Sequence, residues 1–172
     1  MNQIINYEQA LILYKSNRFK ECISLIGDDS NIENLQILKA ACHAILGDNI
    51  LAENILKNLI KENPKNLDAY NNLSIIYIKS NYKEQAYFML QHILINDPNH
   101  IDAISNMAIL CKDLNKYEES IKYFKILKKM KLLTYIKAND YCSLLLRSGF
   151  HKESSVIKSE FKLTYNFKIN IK

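Results

Sequence analysis

Three glycines, two prolines and no tryptophan in 172 residues leave this chain few places to turn sharply or to cradle a phosphate. Gly27, Gly47 and Gly149 stand far apart, so there is no glycine-rich phosphate loop. His43, His92, His100 and His151 fall in separate segments, with no Ser or Cys nucleophile motif, no HExxH and no paired-carboxylate signature beside them. No catalytic constellation is present, and no enzymatic activity is expected. Cys22, Cys42, Cys111 and Cys142 form neither a CxxC pair nor a Cys/His cluster of zinc spacing, so neither a metal nor any other cofactor is expected. No apolar run approaches the length of a membrane span, and the first eight residues lack a basic start followed by a long apolar stretch. No export signal is expected, and free thiols suit a reducing cytoplasm.

What the chain does have is helix-forming residues in a repeating order. Hydrophobic residues make up 48% of it, enough for one domain over residues 1–172 to bury a sizeable core. Asn63-Pro64 and Asp97-Pro98 are like-placed breaks with prolines 34 residues apart. Between them Tyr70, Leu73, Ser74 and Tyr77 fall at i, i+3, i+4 and i+7, one stripe of a helix. Ser80-Asn81 marks a turn, and Ala86, Leu90, Ile93 and Leu94 stripe a second helix that stops at Asp97-Pro98. Ser74 and Ala86 are small, as a close crossing of two antiparallel helices requires. A period of this length signals stacked supersecondary units.

Tyr70, Leu73, Ser74, Tyr77, Ala86, Leu90 and Pro98 each carry the residue type that the tetratricopeptide repeat pattern asks for at that spacing, and the stretch resembles that 34-residue helix-turn-helix unit. The resemblance implies an all-α fold, a right-handed α-solenoid of about five stacked antiparallel hairpins. Their expected bounds are 3–30, 31–66, 67–100, 101–134 and 135–162, followed by a tail at 163–172. The first hairpin is about four residues short and places Ala10, Leu13, Cys22 and Ile26 inward. In the second, Ala40, Gly47, Ala52, Leu56 and Leu59 match, but Lys39 stands where the family has Leu, so a rotated or irregular first helix is expected there. The fourth has Ile104, Met107, Ala108, Cys111, Ser120, Phe124 and Leu127 in place but lacks its closing proline, so a looser turn or a longer helix is expected before Tyr135. Ala138, Tyr141, Cys142, Leu145, Ser154, Ile157 and Phe161 line the fifth around a turn at Gly149. In this register Cys22 and Cys142 take small crossing positions and Cys42 and Cys111 face inward, so all four cysteines read as core residues.

If the family geometry holds, the first helix of each hairpin lines a concave surface. That surface would carry Tyr7, Leu11 and Tyr14; Ile37, Ala41, Ala44 and Ile45; Asn71, Asn72, Ile75, Ile78 and Lys79; Ser105, Asn106, Ile109 and Lys112; and Asn139, Ser143 and Arg147. Its first half is apolar, the signature of a protein interaction site. The expected function is a non-enzymatic scaffold that binds an extended or helical segment of another protein. Relatives that grip the terminal carboxylate of heat-shock chaperones use a clamp of two basic residues and two asparagines; here Tyr7, Ile37, Asn71, Asp68, Asp102, Ile136 and Asp140 replace its basic members, which disfavours that role.

Three alternatives are kept. Length and apolar groove resemble small chaperones of type III secretion translocators. Asn139 and the run from Gly149 to Ser154 are faintly similar to assembly proteins of tight-adherence pili. An RNA-binding helical repeat is the third, because residues 101–172 carry 14 basic and 7 acidic groups against 6 and 8 in residues 1–63. Nucleic acid is nevertheless disfavoured, since that third holds one Arg and its Lys122, Lys125 and Lys129 border the inward stripe of a helix, as a solvated face would. Leu163, Tyr165, Phe167, Ile169 and Ile171 alternate with polar residues at a strand period, which offers self-association through the tail as a further use.

Overall fold

The computed structural model describes residues 7–28 and 30–163. The expected start of the first hairpin at residue 3 and the alternating tail beyond Leu163 lie outside them. Among the described residues there are ten α-helices and no strand, paired as five hairpins. They are α1 (Tyr7–Lys15) with α2 (Phe19–Ile26), α3 (Glu33–Leu46) with α4 (Asn49–Glu62), and α5 (Leu67–Lys79) with α6 (Lys83–Asn96), then α7 (Ile101–Asp113) with α8 (Tyr117–Lys129), and α9 (Tyr135–Arg147) with α10 (His151–Glu160). The chain divides into two compact units, residues 1–98 holding α1–α6 and residues 99–172 holding α7–α10. The all-α class and the helical hairpins are as the sequence implies.

Each hairpin is built on the same crossing, a pair of small residues twelve positions apart: Ala10 and Cys22, Ala40 and Ala52, Ser74 and Ala86, Ala108 and Ser120, Cys142 and Ser154. All ten are 2% exposed or less. At three crossings a polar donor is used across the gap, whereas Ser74 Oγ donates to the Asn71 carbonyl of its own helix at 2.7 Å. Cys22 Sγ donates to the Ala10 carbonyl at 3.3 Å, Ser120 Oγ to that of Ala108 at 2.6 Å and Ser154 Oγ to that of Cys142 at 3.2 Å. Left unpaired, a buried hydroxyl would cost about 1–3 kcal/mol.

The turn inside each hairpin needs one residue in left-handed backbone, and Asn17, Gly47, Asn81, Asn115 and Gly149 supply it at φ 59°, 93°, 63°, 59° and 80°. Glycine and asparagine are the residues that take this conformation at least cost. The following N–H then closes the turn onto a carbonyl five residues back, as from Tyr82 to Tyr77 at 2.8 Å and from Phe150 to Leu145 at 2.8 Å. At the start of α5, α7 and α9 the side chains of Asn66, His100 and Thr134 accept the N–H three residues on, at 2.9, 3.2 and 3.4 Å. Such caps are worth about 1 kcal/mol each.

Two expectations fail. The helix containing Lys39 is regular over all 14 residues of α3. Lys39 is buried, and its aliphatic stem fills the place of the expected Leu while its Nζ donates to the Gly27 carbonyl and the Asp28 carboxylate, both at 2.7 Å. The ammonium thus satisfies backbone just past the end of α2, and the Lys39 charge beside Asp28 holds that carboxyl below its ordinary range. The turn before Tyr135 is neither loose nor a continued helix. α8 ends at Lys129, Lys131 takes φ 59°, and Leu133 is buried.

In residues 1–98 the core includes two apolar clusters, one around Ala10, Cys22, Ile26, Leu35, Leu38 and Cys42 and one around Ala40, Ala52, Leu56, Leu59, Ala69, Leu73 and Ile76, and Ala86, Leu90 and Ile93 are buried as well. In residues 99–172 the rings of Phe124 and Tyr141 stack at 5.4 Å, and Tyr141 Oη donates to Glu153 Oε1 at 2.7 Å. All four cysteines are buried and free. Burial pushes the thiols of Cys42 and Cys111 up to about 12, the former helped by Cys22 and the latter by Glu119. Thiolate is the reactive form. A thiol reagent at about pH 8 is therefore expected to modify the native protein slowly and all four cysteines readily once denatured; rapid labelling without denaturant would show that the thiols are not shielded.

Candidate partner-binding surface

The first helices of the hairpins in residues 1–98 surround a half-open cavity of about 110 Å³. α1 gives it Tyr14; α3 gives Ala41, Ala44 and Ile45; α5 gives Asn72, Ile75 and Lys79. The base is made by Ala40, Leu56 and Ile76, residues that also belong to the core. The three helices come together because their opposite faces carry Ala10, Leu35, Leu38, Ala69 and Leu73 into the core, which turns these residues away from it. Alanines at 41 and 44 keep the space open, since larger side chains at those places would fill it.

The lining is apolar except at one edge. Asn72 Nδ2 donates back to the Asp68 carbonyl at 2.8 Å, which leaves its Oδ1 as an acceptor. Lys79 is exposed and has no ion pair among the described residues. Burial, with the thiols of Cys42 and Cys22 nearby, raises the Tyr14 phenol above its ordinary value, so it is neutral and a donor at neutral pH.

Seven of the residues expected on the concave face therefore meet at one place: Tyr14, Ala41, Ala44, Ile45, Asn72, Ile75 and Lys79. The others in this unit do not line the cavity. Tyr7 is exposed, while Leu11 and Ile37 pack partly against the core. Asn71 is only 6% exposed and offers little open surface. Ile78 is half-buried on the same helix as Ile75. Leu56 and Ile76 were not legible as cavity residues, because Leu56 matches a core position of the repeat and Ile76 falls on neither the stripe read in its helix nor the expected concave face.

In residues 99–172 the corresponding helices are α7 and α9, tied by an ion pair from Lys112 Nζ to Asp140 Oδ1 at 2.8 Å. Asn106, Ile109 and Asn139 are half-buried there and Arg147 is exposed. Asn139 Oδ1 is buried without a hydrogen-bond partner. The Lys112 charge is neutralised within the protein, so this face is more polar but not strongly cationic.

Among the described residues no group of His, Cys, Asp and Glu is placed to hold a metal ion, and no helix is long and apolar enough to cross a membrane.

Comparison with known proteins bears on the scaffold. Residues 45–103 match the tetratricopeptide repeat family model. No curated protein is similar in sequence. Among solved structures, MamA from Desulfovibrio magneticus RS-1 superposes with a TM-score of 0.74 at 13% identity, over 91% of this chain and 91% of that one. MamA of AMB-1 gives 0.70 at 14% identity over 90% and 87%. A tetratricopeptide repeat protein from Parabacteroides merdae ATCC 43184 gives 0.69 at 20% identity over 92% of this chain and 65% of its own. At these identities the likeness is one of fold.

Proposed function

We propose that this chain, whose residues 45–103 match the tetratricopeptide repeat family model, is a non-enzymatic scaffold that binds an extended or helical segment of another protein through the first helices of its hairpins. The observation that carries this reading is the apolar cavity to which α1, α3 and α5 all contribute. An apolar cavity of about 150 Å³ accepts a benzene ring, so 110 Å³ suits one aliphatic side chain such as Leu or Ile. Asn72 Oδ1 and Lys79 stand at the rim, where a backbone N–H and an acidic side chain of the ligand would meet them. The recognised segment is therefore an aliphatic anchor with a carboxylate close by.

The same proposal treats residues 1–172 as one repeat domain. It places the protein in the cytoplasm, where four free thiols persist. Further contacts are proposed at Tyr7, Leu11, Ile37, Asn71 and Ile78 within residues 1–98 and, separately, at Asn106, Ile109, Asn139 and Arg147 within residues 99–172. A secretion chaperone or pilus-assembly factor would be a special case that differs in its partner. An RNA-binding repeat would differ in kind, and its affinity would fall steeply with salt, whereas an apolar anchor predicts a shallow dependence.

The test is Ile75→Glu with Ile78→Glu, measured by titration calorimetry against a partner captured from the native host. Losing an apolar anchor worth about 1.5–3 kcal/mol when fully buried is expected to weaken binding about tenfold or more while leaving the melting temperature nearly unchanged. Lys122→Glu with Lys129→Glu is the control and should matter little for a ligand of this surface. The reverse ranking would move this ligand off the groove, and a collapse in melting for the isoleucine pair would make those side chains part of the core.

A further inference from the structure

We propose that the outer face of α8, formed by Ile121, Lys122, Lys125, Ile126 and Lys129, is a second docking surface that takes an acidic amphipathic helix of a partner protein. These residues, with Glu118, line a shallow depression of about 420 Å³. Ile121, almost fully buried, and half-buried Ile126 give it an apolar floor, and the three lysines stand along it at i, i+3 and i+7.

The state of each charge distinguishes this face from an ordinary solvated one. Lys128 is used up by Glu160 at 3.0 Å. Lys125 leans on Glu153 at 3.4 Å, with its ammonium 5.8 Å from the Phe150 ring centre, which fixes one corner of the depression. Lys122 and Lys129 are exposed with no partner among the described residues. A cation in the last turn complements the helix dipole, which accounts for Lys129 but not for Lys122, a full turn and more earlier. Two unpaired ammonium groups flanking an apolar floor call for a ligand with carboxylates beside aliphatic side chains.

The same features choose among polyanions. A nucleic acid would be met by arginine forks and stacking aromatics, and these six residues include neither. A bilayer requires a helix free to sink its apolar side into lipid, but the apolar side of α8, carrying Phe124 and Leu127, is buried within its own unit. A partner helix needs only a ridge of aliphatic side chains to fill the depression. From Glu118 to Lys129 the face runs roughly 17 Å at 1.5 Å per residue, the length of three helical turns. Glu118 at one end sets the direction: the partner's acidic residues lie towards Lys122, Lys125 and Lys129, and a neutral or basic one lies over Glu118.

The probe is a fluorescently labelled, alanine-based helical peptide with leucines on one face flanked by glutamates, followed by anisotropy on the full chain. Binding is expected, and it is weakened about tenfold or more by Lys122→Glu with Lys129→Glu and weakened by Ile126→Gln, all read in a chain that also carries Ile75→Glu with Ile78→Glu, so that the groove, which takes an aliphatic anchor beside a carboxylate too, does not contribute. The lysines are exposed, so that variant is expected to keep the parent's melting curve and carries the test even if Ile126→Gln does not fold. A version of the peptide with glutamine for glutamate should bind more weakly. No binding of the glutamate peptide, or binding that survives the lysine variant, overturns the proposal. So does tighter, lysine-dependent binding of a single-stranded RNA oligonucleotide or of phosphatidylserine vesicles, which would assign the face to nucleic acid or to membrane instead.

Discussion

Phe124→Ala is expected to lower stability by about 3–5 kcal/mol, the cost of removing a fully buried aromatic ring whose space the neighbours only partly refill. Phe124 is stacked on Tyr141, which is held in place by its hydrogen bond to Glu153, so the partner ring has little freedom to move into the gap. Denaturant unfolding followed by circular dichroism measures it. A loss under about 1 kcal/mol would mean that the ring contributes far less than a packed core residue does. The same curve tests the one-domain proposal. Nearest-neighbour coupling along a repeat array predicts one transition that shifts as a whole, whereas an early step confined to residues 99–172 would separate the two units.

Ala86→Leu is expected to cost about 1–3 kcal/mol by forcing α5 and α6 apart where they touch most closely. Ala86 and Ser74 are both fully buried at this crossing, so the added side-chain atoms of Leu meet space that is already packed. The informative companion is Ala86→Ser. Ser120 and Ser154 stand at the equivalent places and donate across the crossing, so a serine at 86 has a carbonyl within reach at Ser74 and should cost less than about 1 kcal/mol. Equal melting temperatures for Ala86→Leu and the parent would show that the crossing lies elsewhere.

The crossings were legible in the sequence because a small residue among larger apolar ones, recurring with the period, has one explanation. Ser74, Ala86, Ala108 and Ser120 needed no structure to be placed. Lys39 was misread for the opposite reason: a residue type stands for a charge in the pattern, while the fold uses its four methylenes and gives its ammonium to Gly27 and Asp28. The missing proline after α8 was misread because the turn can also be made by a left-handed Lys131, which no propensity favours.

The candidate site was legible only by halves. Tyr14, Ala41, Ile45, Asn72, Ile75 and Lys79 followed from the side of the helix opposite the core stripe. Whether they enclose a space depends on how far apart three helices stand, and that distance is set by side chains on other elements, Leu56 among them. Asn71 shows the limit of counting positions, since it sits on the expected side yet is buried. The face of α8 reads as solvated and its Lys122, Lys125 and Lys129 are exposed, but charge alone does not reveal which lysines are already paired.

The left-handed turn positions, the crossings and the helix caps fall at the same offset in successive hairpins: 47, 81, 115 and 149 for the turns, 40, 74, 108 and 142 for the first crossing residue, 66, 100 and 134 for the caps. A cut removing residues 67–100 would join Asn66 to Ile101, leaving a cap at the proper distance before a helix that already carries its own crossing and turn. The reading frame of the fold is therefore 34 residues long, and a gene of this kind can gain or lose whole hairpins by unequal recombination without creating a faulty joint. An insertion of one or two residues inside a helix would rotate the later side chains of that helix off their face, whereas the first hairpin, whose turn precedes the next by 30 residues rather than 34, shows that length is also lost at a helix end.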